Sequence, residues 1–346
     1  MYVKFFPAGR REMGELNNVL KVYMSKPERI QSVLEYFIGE RLSENWSATC
    51  VEEDGFFSVE NTKGRVSFRQ RDILKKVVTE EGAYFLGIEN QARINLIFPW
   101  RLMQMDSLFY ERQIEEIRRK NMEEAATYTQ EDDYQYRFKK RDRLIPIVNL
   151  VLYWGKTEWK CPTGLSDMTD GRLLPEKMWE LYQDYHIHLI DMRRISEDSL
   201  KVMNSDLKYV LGLMKCADSQ DEYKQYIREN QGYFRKVPKS AMDVLRVCMN
   251  IGRMKQFLEY TKRADAQEEE TDMCKAMEMI EKEAKRQGVK QGVKQGVEQG
   301  IKQVIRALVE TCAELGVSKE LTVDRVVAKM RLSRKDAAEY VNQYWC

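Results

Sequence analysis

Two acidic side chains stand in otherwise apolar surroundings. Asp72 lies in Arg71-Asp72-Ile73-Leu74-Lys75, and Glu89 in Gly87-Ile88-Glu89-Asn90-Gln91. A hairpin with Glu80 and Glu81 at its tip pairs residue i with residue 161 − i, which sets Asp72 opposite Glu89. Directly opposed residues on one sheet face have Cβ atoms ~5 Å apart. Gln91 follows Glu89 by two and shares its face. Carboxylates that close repel unless a positive group sits between them. A divalent cation meets that need, and Mg²⁺ or Mn²⁺ prefers hard oxygen ligands. Such an ion polarises a phosphodiester and lowers the pKa of a water, which is nuclease chemistry. Two alternatives stay open on the residues alone. A one-residue bulge at Gly82 would slip the register, and each acid could instead pair with a neighbour such as Arg69, Arg71 or a lysine.

The elements that must hold these residues can be read from spacing. A helix is expected from about Lys26, with Ser25 as N-cap, Pro27 in the first turn and Glu28 completing a capping box. Ile30, Val33, Leu34, Phe37, Ile38 and Leu42 supply its apolar stripe. A weaker helix is expected around Gly14 to Met24. Residues 45–64 read as loop with short strands. Strands follow at Arg65–Val78 and Ala83–Gln91, separated by the turn Thr79-Glu80-Glu81-Gly82. Pro99 opens a long helix through about Asn121. Residues 122–143 are charged and read as an insertion. Leu144–Trp154 is a continuous apolar run, the mark of a strand buried on both faces. Tyr185–Met192 is a further strand, and from Ser196 onward the pattern is helical with no strand. The division expected is an α/β domain over 1–195, a helical region over 196–280 and a glycine-repeat helix with a helical tail over 281–346.

Composition bounds the function. The chain has 346 residues, 57 basic against 55 acidic, for a net charge of +2. Any nucleic-acid footprint is therefore a local patch. No apolar stretch approaches the ~20 residues of a spanning helix. Met1 to Pro7 contain no hydrophobic segment long enough for a secretory signal. A cytoplasmic protein without membrane attachment is expected. The seven cysteines are scattered with no C-x-x-C pair, which suits reduced thiols and disfavours zinc. His186 and His188 are the only histidines; an alternating strand with one exposed face accounts for them.

The tail holds one clear repeat. Gln-Gly-Val-Lys occurs at 287–290 and 291–294, Gln-Gly-Val-Glu at 295–298 and Gln-Gly-Ile-Lys at 299–302. On a helix, Gly288, Gly292, Gly296 and Gly300 form a row drifting ~40° per repeat. Close helix–helix contact, hence a homo-oligomer through this helix, is one reading. A marginal connector is the other, since each Gly costs ~1 kcal/mol in a helix interior.

The D…E-x-Q arrangement across adjacent strands, between two helices, resembles the PD-(D/E)XK nuclease superfamily. The text around it narrows the resemblance. Arg71 to Lys75, Gly87 to Gln91, and Pro99-Trp100-Arg101-Leu102-Met103 leading to Asp106, Tyr110 and Gln113 resemble the Rpn-type recombination-promoting nuclease/putative transposase family. Leu144 to Gly155 resembles its next core strand. The likeness spans about residues 20–195, and the glycine repeats share the family's character. It implies a restriction-endonuclease-like core, a mixed central sheet flanked by helices, with an α-helical C-terminal extension. It implies Asp72 and Glu89 as metal ligands, with Gln91 in the place of the superfamily's lysine. Lys would bring a charge to the attacking water, whereas an amide brings only a dipole, so a slow enzyme is expected. Glu35, on the first helix, corresponds to an extra acidic ligand in many superfamily members, although this family often has an amide there. Arg101 and Gln113 match polar positions of the following helix and are candidates for DNA contact; for Tyr110 packing is the preferred role.

DNA contact needs cations. Arg137, Lys139, Lys140, Arg141 and Arg143, with Tyr134, Tyr136 and Phe138, form the densest basic-aromatic patch, flanked by Arg118, Arg119 and Lys120. Phosphate contact and base stacking are expected there, although Glu131, Asp132 and Asp133 precede it. The reading is a Mg²⁺- or Mn²⁺-dependent DNA endonuclease linked to recombination or mobile elements. Its rival is a catalytically weak or inactive DNA- or protein-binding module of the same fold.

Overall fold

The structure is a computed structural model that describes residues 10–43, 46–50, 57–60, 66–69, 71–123, 128–129, 131–249, 257–258, 261 and 269–345. The Met1–Pro7 segment lies outside the described residues, as do 65 and most of 45–64. The chain forms two compact units, Met1–Cys274 and Lys275–Cys346.

The first unit is built on a five-stranded mixed sheet. Helices α1 (Arg10–Met24) and α2 (Pro27–Ile38) precede β1 (Ser47–Cys50). Among the described residues, strands β2 (Phe57–Glu60) and β3 (Val66–Arg69) pair with each other in a separate two-stranded sheet. Then come β4 (Ile73–Thr79), β5 (Gly82–Gln91), helix α3 (Phe98–Glu123), β6 (Ile147–Tyr153) and β7 (His188–Asp191), in the order β1-β4-β5-β6-β7. The β1–β4 and β4–β5 pairs are antiparallel, and β5–β6 and β6–β7 are parallel. A two-residue turn suffices for the first kind of pairing, and Gly82 supports it with φ +153°. The parallel β5–β6 pair needs a crossover, which α3 provides. Its far partner β6 lies between two strands and carries the apolar run Leu150–Trp154, all buried, which is the pattern of a central parallel strand.

The expected strand over 65–78 is two strands in different sheets. Asp72 is a bend immediately before β4, so Arg71 and Asp72 lie outside strand interior. Ser25 does not cap α2. Lys26 holds that position without a side-chain cap, Pro27 starts the helix, and the Ser25 hydroxyl donates to Val22 O at 2.8 Å. Only two residues separate α1 from α2, and the hydroxyl serves the end of the first helix rather than the start of the second.

Packing fixes the sheet between helices. Phe98 and Leu102 of α3 join Val151, Tyr153, Trp159 and Ile187 in one buried cluster. Phe109 joins Leu74, with Phe85, Leu108 and Ile147 against it. Leu20, Tyr23 and Met24 of α1 are fully buried, and α1 lies against β5. At roughly 1.5–3 kcal/mol per large apolar side chain, these contacts stabilise the layers. The helices between Ser196 and Cys248 belong to the same unit. The Arg29 guanidinium of α2, buried, holds the Asp206 carboxylate with two hydrogen bonds, of 2.6 and 2.7 Å. One strand pair interrupts the expected all-helical run: Val237–Pro238 pairs with Glu270–Thr271. Two residues per strand are too few to show a period-2 pattern.

The second unit contains all but the first two residues of a long helix, Met273–Glu314, then helices Lys319–Met330 and Arg334–Tyr344. Ile305 and Val309, Val323 and Val326, and Ala337 and Val341, two from each helix, form its core. Gly288, Gly292, Gly296 and Gly300 lie within the long helix, and a Cβ built on any of them meets nothing within 4 Å. No helix among the described residues is long and apolar enough to cross a membrane.

Candidate active site

The hairpin register sets the site. Ile73 pairs with Ile88 and Thr79 with Gly82, so residue i faces residue 161 − i along the whole ladder. Gly82 introduces no bulge. Asp72, one residue before β4, therefore stands opposite Glu89 at the open end of the hairpin. The Asp72 carboxylate accepts a hydrogen bond of 2.7 Å from the backbone N–H of Asn90. Alternation along β5 puts Gly87, Glu89 and Gln91 on one face. Their β6 partners on that face are Asn149, Val151 and Tyr153.

Burial sets the electrostatics. Glu89 is 4% exposed, and its Oε1 has no hydrogen-bond partner. Burial first, and the neighbouring Asp72 charge second, push its pKa up to about 8; Arg71 and Arg101 oppose the shift. Asp72 is also raised, chiefly by burial, and is held back by its Asn90 hydrogen bond, Lys21 and Arg101. A carboxylate oxygen buried without a donor is costly. Keeping a proton on Glu89, or binding a cation between the pair, would relieve that cost.

The residues present fit a divalent ion. Two carboxylates, one of them with an unpartnered oxygen, are a hard-oxygen donor set, and Mg²⁺ commonly takes one or two carboxylates with water in its other positions. Among the described residues no cluster of three or more His, Cys, Asp or Glu side chains could hold a metal, so the pair would be the whole acidic contribution. Glu35 stands apart from it. Its carboxylate takes an ion pair from Arg41 at 2.7 Å, a hydrogen bond from Gln31 at 2.9 Å and the backbone N–H of Leu42 at 3.2 Å. The Gln31 and Arg41 hydrogen bonds lead in holding its pKa below the usual carboxylate range against burial. It lines a cavity of about 340 Å³ with Ser32, Tyr36 and Met203.

Beside the pair runs a buried polar network. Arg71, 2% exposed, donates to Asn149 Oδ1 at 2.5 Å and forms a very short ion pair with Asp106 of α3. Asn149 Nδ2 donates to both Asp106 oxygens at 2.8 and 2.9 Å, and the Tyr185 hydroxyl donates to Asp106 at 2.5 Å. Burial and the Asp106 charge raise the Tyr185 pKa. Gly87 makes room for this network, since a Cβ there would sit 2.2 Å from Asn149 Oδ1. Arg71 is thus engaged by Asp106 and Asn149 and does not clamp Asp72. A signal for this network exists in the sequence: an acid in the apolar stripe of α3 and an amide inside Ile147-Val148-Asn149-Leu150-Val151.

The other candidate residues divide. Arg101, on α3, lies near enough to lower the pKa of both acids. Gln113 is committed elsewhere: its amide donates to Ile145 O at 3.1 Å and accepts from Ile145 N at 2.8 Å, pinning the entry to β6. The Tyr110 hydroxyl accepts from Ile147 N. The basic-aromatic patch is a loop folded around acids. Asp132 accepts from Thr129 N and Lys140 N, and Asp142 accepts from Lys139 N and Asn121. Lys139 is 6% exposed, with its ammonium over the Tyr128 ring, so it presents no open charge to DNA. Lys140 pairs with Glu131 at 2.8 Å. Arg137 is half-buried at φ +52°, and Arg141 is exposed. His186 and His188 are both exposed, with Ile187 buried between them.

The family model described as "Putative transposase, YhgA-like" matches residues 17–244. Neither the curated proteins nor the solved structures gave a match.

Proposed function

The chain belongs to the YhgA-like family of putative transposases, a PD-(D/E)XK nuclease-like family, and we propose that it is a divalent-metal-dependent DNA endonuclease. Its family gives it a nuclease role connected with mobile elements. The single observation that carries the finer reading is the Asp72–Glu89 pair: a half-buried and a buried acid opposite each other, the buried one with an oxygen that no donor satisfies.

In this reading Asp72 and Glu89 hold a Mg²⁺ or Mn²⁺ ion, which when bound supplies Lewis-acid polarisation of the phosphoryl group and acidifies water. The chain's own groups do the rest. The Asn90 N–H fixes the Asp72 carboxylate in direction. Gln91, on the Glu89 face, orients a water through its amide, and Arg101 offsets the negative charge brought by a phosphodiester. Without a lysine at position 91 the site brings a dipole and no charge to the attacking water, so turnover is slow.

A second reading has its own support. Glu89 is almost closed off from solvent, and a DNA-binding module that does not cut would tolerate that. Supercoiled plasmid with Mg²⁺ or Mn²⁺ separates the two. Nicking by the parent protein that disappears in Asp72→Ala and Glu89→Ala supports the enzyme. Cleavage that survives both substitutions is contamination, and no cleavage with either ion favours the binding module.

A further inference from the structure

The second unit ends in two short helices joined by only three residues, and a group of exposed basic side chains lies at that junction. Helix Lys319–Met330 is capped by Ser318, whose side chain accepts from Leu321 N. It stops at Arg331, which takes the left-handed conformation at φ +53°. Leu332 turns inward against the core cluster, and Ser333 caps helix Arg334–Tyr344 by accepting from Asp336 N at 3.1 Å. Arg331 thus reverses the chain, Leu332 anchors it and Ser333 starts the next helix. Two helices with a three-residue connection, braced on a third, have the connectivity of a helix-turn-helix. The third is the end of the long helix, through Ile305 and Val309.

The last helix divides cleanly. Ala337 and Val341 face the core. Lys335, Glu339 and Asn342 recur at spacings of four and three and are all exposed. They form a polar row opposite the buried one. Lys329, Arg331, Arg334 and Lys335 fall within seven residues that contain no acid, and all four are exposed. Arg334 also pairs with Asp324 of the preceding helix at 3.2 Å, which ties the two helices together at the basic end.

We propose that this terminal unit is a second DNA-contacting element, with helix Arg334–Tyr344 laid in the major groove. The basic turn and the first residues of the helix meet phosphates. Lys335, Glu339 and Asn342 present a cation, an acceptor and an amide, the chemistries that read guanine, cytosine and adenine edges. The observations favour a nucleic acid over an acidic protein because the exposed row carries hydrogen-bonding heads and no large apolar side chain. This placement is independent of Asp72 and Glu89 and lies beyond the matched residues 17–244.

The test is fluorescence anisotropy of the full chain with a labelled mixed-sequence duplex of about 20 base pairs, titrated over a range of NaCl with EDTA present. EDTA removes cleavage, so the outcome does not depend on the nuclease reading. The parent is compared with a Lys329→Gln, Arg334→Gln, Lys335→Gln triple variant. The salt slope falls by ~0.9 for every phosphate that is no longer neutralised. The triple variant should therefore show a slope smaller by about two to three and an affinity at least about tenfold weaker at low salt. If the triple variant unfolds, Lys329→Gln alone, exposed at the end of the preceding helix, should lower the slope by about one. An unchanged slope and affinity overturns the proposal, as does a parent that does not bind duplex at all, the result expected of a protein-docking module.

Discussion

The backbone N–H of Asn90 donates to the Asp72 carboxylate at 2.7 Å, so the first acid of the pair is clamped to the strand that carries the second. Asp72→Asn keeps an oxygen to accept this bond and removes only the charge. The Asp72 charge is the second cause raising Glu89. In Asp72→Asn the Glu89 pKa should therefore fall below about 8 while remaining above the usual carboxylate range, because burial persists. Carboxyl ¹³C NMR titration of both proteins measures this; an unchanged Glu89 pKa would show that the two groups do not interact.

The raised Glu89 pKa also makes stability depend on pH, with a sign opposite to that of an ordinary paired carboxylate. Between the unfolded value near 4.5 and the folded value of about 8, the folded state holds a proton that the unfolded state has lost. Metal-free stability contributed by this group is then fully present at low pH and falls as pH rises through that window. Glu89→Gln removes the penalty. At pH 7 it should stabilise the metal-free protein by up to roughly 3 kcal/mol. Chemical denaturation at pH 5 and pH 7 checks this: the gain should shrink at the lower pH.

Asp106 has a structural duty that the pair depends on. It gathers Arg71, Asn149 and Tyr185 around one buried carboxylate. Asp106→Ala would strand the Arg71 guanidinium, and removing one partner of a buried ion pair costs about 3–5 kcal/mol. Urea unfolding should show a loss of that size, and a loss below ~1 kcal/mol would mean that water already satisfies Arg71.

Arg331 is a non-glycine residue at φ +53°, a conformation that costs an L side chain roughly 1–2 kcal/mol. Arg331→Gly relieves that strain but adds chain entropy to the unfolded state. It should leave the thermal midpoint of the second unit unchanged or slightly raised, whereas Arg331→Val should lower it, as read by circular dichroism.

Much of this is legible in the residues, and the failures have physical causes. The pairing of Asp72 with Glu89 follows from the position of one turn, because a period-2 ladder has no freedom once its tip is fixed. The crossover by α3 and the central burial of β6 follow from an uninterrupted apolar run. Lys139 misleads because its neighbours fold the loop inward: Asp142 binds the Lys139 N–H, and composition alone does not reveal which charges of a mixed run face each other. Gln113 misleads because an amide that satisfies backbone groups 32 residues away looks the same in sequence as one free to meet a phosphate. Ser25 fails as a cap because two helix ends compete for one hydroxyl. The junction Arg331-Leu332-Ser333 is hidden because the helical periodicity continues almost unbroken across it.

The central claim is that Asp72 and Glu89 share one divalent cation, and calorimetric titration of Mn²⁺ into the metal-free protein tests it most directly. At pH 7 one ion should bind and displace close to one proton, because Glu89 is largely protonated there and a ligand must be ionised. Proton release should vanish by pH 9, and both Asp72→Asn and Glu89→Gln should weaken binding at least about tenfold. Binding that both variants leave intact, or a folded parent protein that takes up no ion at either pH, would contradict the account.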